Sequence, residues 1–136
     1  MAGLARNSFL SKDTCLTIKN SKKIILDFVT FSLKAALNNS ESAQVLYANL
    51  PLEINLVQWG RELYGDTQIH LPERNLVSEL ETGSIAYSSR GNYLCVFYGQ
   101  QPAWPVEVVG KIDGSEWEKL KNEDALTMLR VYADII

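Results

Sequence analysis

The chain has 136 residues, 46% apolar and 21% charged, a composition that fits one globular domain and excludes disorder or a second independent core. Its formal net charge of −3 is too small to single out a nucleic acid or another strongly charged partner. No apolar run approaches the ~20 residues that span a bilayer, and the first ten residues lack the continuous apolar stretch of a secretory signal; the expectation is a cytoplasmic protein with no membrane partner.

Residues 1–13 show no periodicity and read as a loose lead-in to a single domain over 14–136. Arg6, Lys12, Lys19, Lys22, Lys23 and Lys34 make residues 1–34 locally basic. No aromatic residues interleave with them, so they read as solvated side chains rather than as a nucleic-acid arm. Alternation starts at Thr14, where Leu16 and Ile18 share a face, and Asn20-Ser21 reads as a turn. Ile24, Leu26 and Phe28 resume the two-residue period. Phe31, Leu33, Ala35 and Leu37 continue it with the parity reversed, which predicts a bulge or bend at Val29-Thr30.

Asn38, followed by Glu41 in capping-box spacing, predicts a helix over Ser42–Asn49 that ends at Pro51. Leu52, Ile54 and Leu56 form a half-buried strand running toward Trp59. Gly60 marks a turn, and Arg61–Tyr64 is a short strand closed by Gly65-Asp66. Residues 66–83 read as a long loop. Ile85–Tyr87 is a short strand, and Ser88–Asn92 a turn rich in residues that tolerate positive φ. Tyr93–Tyr98 is apolar on both faces, which predicts a central strand covered on both sides.

Gln100–Pro105 is a rigid connection. Val106, Val108 and Ile112 give a strand, with Gly110 at a bend or a close backbone approach. Ser115 starts a single helical turn through Trp117 and Leu120, and Leu126–Ile135 alternates again. Seven or eight short strands with one helix form a mainly β domain. A sheet of that size avoids exposed edges by closing into a barrel.

Several of these segments occur in a familiar order. Phe31-x-Leu33 leads to Leu37-Asn38-Asn39-Ser40-Glu41-Ser42-Ala43, then to Leu50-Pro51 and an alternating strand. Gly83-Ser84-Ile85-Ala86-Tyr87, Gly91 through Gly99, and Val109-Gly110-Lys111-Ile112 follow. Together, over residues 24–135, they resemble the small prokaryotic cyclophilin-like proteins, most of which have no assigned function. The resemblance implies a small closed cyclophilin-like β-barrel with one short helix over an end. Ser84 departs from the acidic residue usual after the glycine in that family. The resemblance does not extend to the active face of the prolyl isomerases: neither their Phe-His-Arg context nor their Phe-Met-x-Gln-Gly-Gly-Asp-Phe signature occurs, and His70 sits in Gln-Ile-His-Leu-Pro. No isomerase catalytic residue carries over, and fold does not imply function.

The chain offers little else for catalysis. One His and two distant cysteines, Cys15 and Cys95, supply no zinc set, and Asp66 or Glu62 read better as solvated carboxylates than as metal ligands. No nucleophile elbow and no phosphate-cradling glycine loop is present, so no cofactor is expected. The two cysteines read as free thiols, although an oxidising compartment would permit a disulfide.

The densest chemistry is Trp59-Gly60-Arg61-Glu62-Leu63-Tyr64, with a guanidinium fork between flat apolar walls. Tyr87, Arg90 and Tyr98 join it if the turn at Gly91 faces the same barrel end. One reading makes Trp59, Arg61, Glu62, Tyr64, Tyr87, Arg90 and Tyr98 a groove for a carboxylate-bearing small molecule or peptide. The other makes Trp59 and Tyr64 a barrel plug, with Arg61 and Glu62 as a surface ion pair. Pro102-Ala103-Trp104-Pro105 is either an interaction loop or a stiff connector. The leading expectation is a non-catalytic binding module. The alternatives are a prolyl isomerase using Arg61 or Arg90, and an assembly protein that forms a homodimer.

Overall fold

Lys23–Asp27 (β1) and Ser32–Leu37 (β2) pair as an antiparallel hairpin, with Asp27 opposite Ser32. The parity reversal is therefore a chain reversal and not a bulge. Val29-Thr30 forms a two-residue turn in which Val29 has φ 80°, and Phe28 and Phe31 close it through a backbone hydrogen bond of 2.9 Å. The computed structural model describes residues 21–135; the expected strand from Thr14 and the lead-in lie outside them, as does Cys15.

The helix α1 (Glu41–Ala48) starts one residue before the expected Ser42, and its cap lies two residues beyond the expected Asn38. Ser40 is the N-cap: its hydroxyl accepts the amide of Ala43 at 3.0 Å. Asn38 instead accepts the Ser40 amide and donates to the Val108 carbonyl at 2.8 Å, which ties the helix start to the sheet. Ala43 and Leu46 of α1 join the core.

The remaining strands are β3 (Leu52–Asn55), β4 (Val57–Trp59), β5 (Glu62–Asp66), β6 (Leu76–Val77), β7 (Ser84–Ser88), β8 (Tyr93–Phe97), β9 (Val106–Ile112) and β10 (Met128–Ala133). A 3-10 helix over Glu116–Asn122 precedes β10; Ser115 flanks it without a side-chain capping bond. Two strands exceed expectation because β4 and β6 are too short to show a period. The main sheet runs β3-β10-β1-β2-β9-β7-β8-β5-β4, every pairing antiparallel, with β6 added to β9.

Its two ends are successive halves of one stretch of chain. Residues 52–55 pair with β10, and residues 57–59 pair with β5. The sheet thus curls into a nearly closed barrel with a seam where β5 passes β3. At that seam a Cβ on Gly65 would run into the carbonyl oxygen of Asn55 and Cγ2 of Ile54.

Alternate residues from every long strand fill the interior, among them Ile24, Leu26, Leu33, Ile54, Leu63, Ile85, Leu94, Val96 and Val131. The register shift between Ile85 and Ala86 leaves Val109 as an extra residue on β9. Gly110, expected at a close approach, lies against the Ala36 carbonyl. Because of the shift, Ile112 stays in the core while Val106 joins a second apolar cluster with Ala86, Cys95 and Phe97. That cluster covers the outer face of β8, the strand expected to be buried on both sides and paired with both β5 and β7.

Candidate functional site

The outer cluster carries a cavity of about 240 Å³. Its floor follows from strand parity: Glu62 and Tyr64 on β5, Cys95 and Phe97 on β8, Ser88 on β7 and Val106 on β9 all project from the outer face. Trp59 on β4 and Tyr93 on β8 stand at its sides, and Pro102, Ala103 and Trp104 cross over it. Tyr64 and Tyr93 meet edge to face, 4.9 Å between centroids.

The crossing segment is tied down at several points. Trp104 donates its indole N–H to the Ser88 hydroxyl at 2.9 Å, and the Arg90 guanidinium lies 4.6 Å from the Trp104 ring. Gln100 accepts the Arg61 amide at 2.5 Å, and the Gln101 side chain bonds both the amide and the carbonyl of Leu80. The stiff-connector reading of residues 102–105 therefore holds, and the connector forms the pocket's roof.

Among the described residues Glu62 is the one carboxylate lining the cavity, and only 7% of it is exposed. Burial holds its pKa above the ordinary glutamate value, and a hydrogen bond with the Cys95 thiol offsets part of that shift. Burial next to this carboxyl pushes the Cys95 thiol well above its usual range, so it stays protonated and unreactive. The two residues meet because Tyr64 lies opposite Cys95 and Glu62 opposite Phe97, which makes Glu62 the diagonal neighbour of Cys95 on one face. Among the described residues the ion pairs include neither Arg61 nor Glu62, so the expected surface pair does not form.

Of the expected site residues, Trp59, Glu62 and Tyr64 line the pocket and Arg90 reaches its roof. Arg61 does not line it: its side chain lies along Gly99 and is exposed. Tyr87 and Tyr98 are one residue out of phase with the outer face, so they point into the core. The Tyr87 hydroxyl meets Asn92 Oδ1 at 2.6 Å and accepts the Leu71 amide, while the Tyr98 hydroxyl accepts from the Gln58 amide at 2.8 Å. Neither Trp59 nor Tyr64 plugs a barrel end; Trp59 is half exposed on β4. Sequence reasoning missed Ser88, Tyr93, Cys95, Phe97 and Val106. The two-sided apolar run of β8 was the signal for Cys95 and Phe97.

Among the described residues no three His, Cys, Asp or Glu side chains gather as a metal site, and no helix is long and apolar enough to cross a membrane. Cys95 is a free thiol.

A family model described as cyclophilin-like matches residues 22–132. Among solved structures, the hypothetical protein AF2241 from Archaeoglobus fulgidus is similar at 24% identity and a TM-score of 0.69, over 82% of this chain and 94% of that one. McbB, solved in complex with tryptophan, is similar at 16% identity and a TM-score of 0.67 over 82% of this chain, which spans only 44% of McbB. Among curated proteins none matches significantly.

Proposed function

The chain belongs to the cyclophilin-like family, and on that premise we propose that it is a small-molecule binding module whose ligand occupies the outer-face pocket beneath Trp104. One observation carries the reading: a cavity of about 240 Å³, walled largely by aromatic and aliphatic side chains, holds a single buried carboxyl group. Ligand sites are concave, mostly apolar and furnished with a few convergent polar groups. This volume suits a molecule of one or two rings. McbB, part of which has this fold, was solved in complex with tryptophan, which supports small molecules as the class to screen. The carboxylate-clamping groove expected around Arg61 gives way to a pocket whose polar group is itself a carboxyl.

The experiment is a thermal-shift screen of one- and two-ring metabolites together with proline-containing peptides. A ligand at a hundred times its dissociation constant adds about 2.7 kcal/mol of stability. The reading expects ring compounds to raise the melting temperature and Trp104→Ala to abolish the shift. A hit whose shift survives Trp104→Ala, or a complete absence of hits, overturns it. Turnover of a proline peptide would support the isomerase reading in its place.

A further inference from the structure

The geometry points to an organic cation as the pocket's ligand: an amine on a flat apolar body, with Glu62 as its counter-ion and the rings of Trp59, Tyr64 and Trp104 beside it. This rests on the reading of the pocket as the ligand site and adds the chemical class of the ligand.

Glu62 sits in the wall of the cavity. Its side chain is almost wholly buried, and among the described residues its hydrogen-bond partner is the Cys95 thiol, a weak donor. Among the described residues no lysine or arginine pairs with it. Arg90 lies over the Trp104 ring and does not line the cavity. A carboxyl in an apolar site needs a counter-charge or strong donors to be ionised there at little cost. The described residues supply neither, and the cavity beside the carboxyl is where a ligand would bring one.

The walls have the matching preference. Aromatic faces carry negative charge density and attract a desolvated cation, more so for an ammonium than for a neutral group of the same shape. An anionic ligand would meet both the carboxyl and the ring faces unfavourably. A neutral ligand would fill the cavity and leave Glu62 without a counter-charge.

Three compounds that share one body and differ in charge test the inference: tryptamine, indole-3-ethanol and indole-3-propionate, titrated calorimetrically at neutral pH into wild type and Glu62→Gln. Tryptamine is expected to bind wild type at least about tenfold more tightly than the alcohol, with the propionate weakest. Glu62→Gln should erase the preference for tryptamine while the alcohol still binds. If the alcohol or the propionate binds wild type as tightly as tryptamine, the cation inference falls and the pocket reading stands. The cation inference also falls if tryptamine keeps its advantage in Glu62→Gln. If none of the three binds wild type at millimolar concentration, both fall. The wild-type series decides the matter even if Glu62→Gln fails to fold.

Discussion

Trp104 donates its indole N–H to the hydroxyl of Ser88 at 2.9 Å, across 16 residues of chain, and so pins the 99–105 connection to the outer face of β7. The same hydroxyl accepts the amide of Arg90 at 3.2 Å, and Arg90 in turn lies over the Trp104 ring. Roof and rim of the pocket thus depend on one buried serine.

Removing that hydroxyl leaves the indole N–H without its partner. Ser88→Ala is expected to cost about 1–2 kcal/mol of stability, read from urea denaturation. It should also raise the accessibility of Trp104 to a collisional fluorescence quencher. Unchanged quenching would show that the segment is held by packing alone.

Glu62 makes stability depend on pH with a definite sign. Its pKa is raised in the folded protein, so the penalty for its burial is absent when both states are protonated, grows as pH rises above the unfolded value and is complete once pH passes the folded one. Cys95 stays protonated and adds nothing over this range. Glu62→Gln should therefore raise the melting temperature at pH 7.5 by a few degrees. The gain should shrink on acidification and vanish below about pH 4. A gain that does not vary with pH would mean that folding leaves the pKa of Glu62 unchanged.

Gly65 sits where β5 passes over β3, and no side chain fits against Asn55 and Ile54. Gly65→Ala is expected to destabilise by about 3 kcal/mol, measured by chemical denaturation. A change below about 0.5 kcal/mol would show that the seam yields easily.

The β1–β2 turn holds a β-branched residue in a conformation that suits glycine. Val29 has φ 80° and is exposed, so its side chain gives little back for the strain. Val29→Gly should stabilise by about 1 kcal/mol, visible as a melting temperature higher by about 4 °C. A loss of stability would mean that residual packing of Val29 outweighs its backbone strain.

Much of the architecture was legible because inside and outside are local properties of a strand. The alternation of Ile24, Leu26, Leu33 and Ile54 matches the burial of their side chains in the core. The two-sided apolar run of β8 correctly announced cover on both faces. The helix start was displaced because Asn38 and Ser40 both have capping side chains, and a long-range contact, Asn38 to Val108, decided which of them caps. The candidate site was half legible. Trp59, Glu62 and Tyr64 lie on one short stretch of chain, whereas Tyr87 and Tyr98, which were to join them if the Gly91 turn faced the same barrel end, point into the core.

The sequence by itself determined the fold class, the family resemblance and most side-chain faces, since these depend on residue period, turn chemistry and composition within a few neighbouring residues. Only the tertiary structure decided that Val29-Thr30 reverses the chain, that one bulge residue sends Val106 and Ile112 to opposite faces, and that Glu62 meets Cys95 under Trp104. Those outcomes depend on which strands pair and in what register. A shift of one residue in pairing turns a side chain from the core to the surface, and at the Val109 bulge the residue period alone does not say where that shift falls.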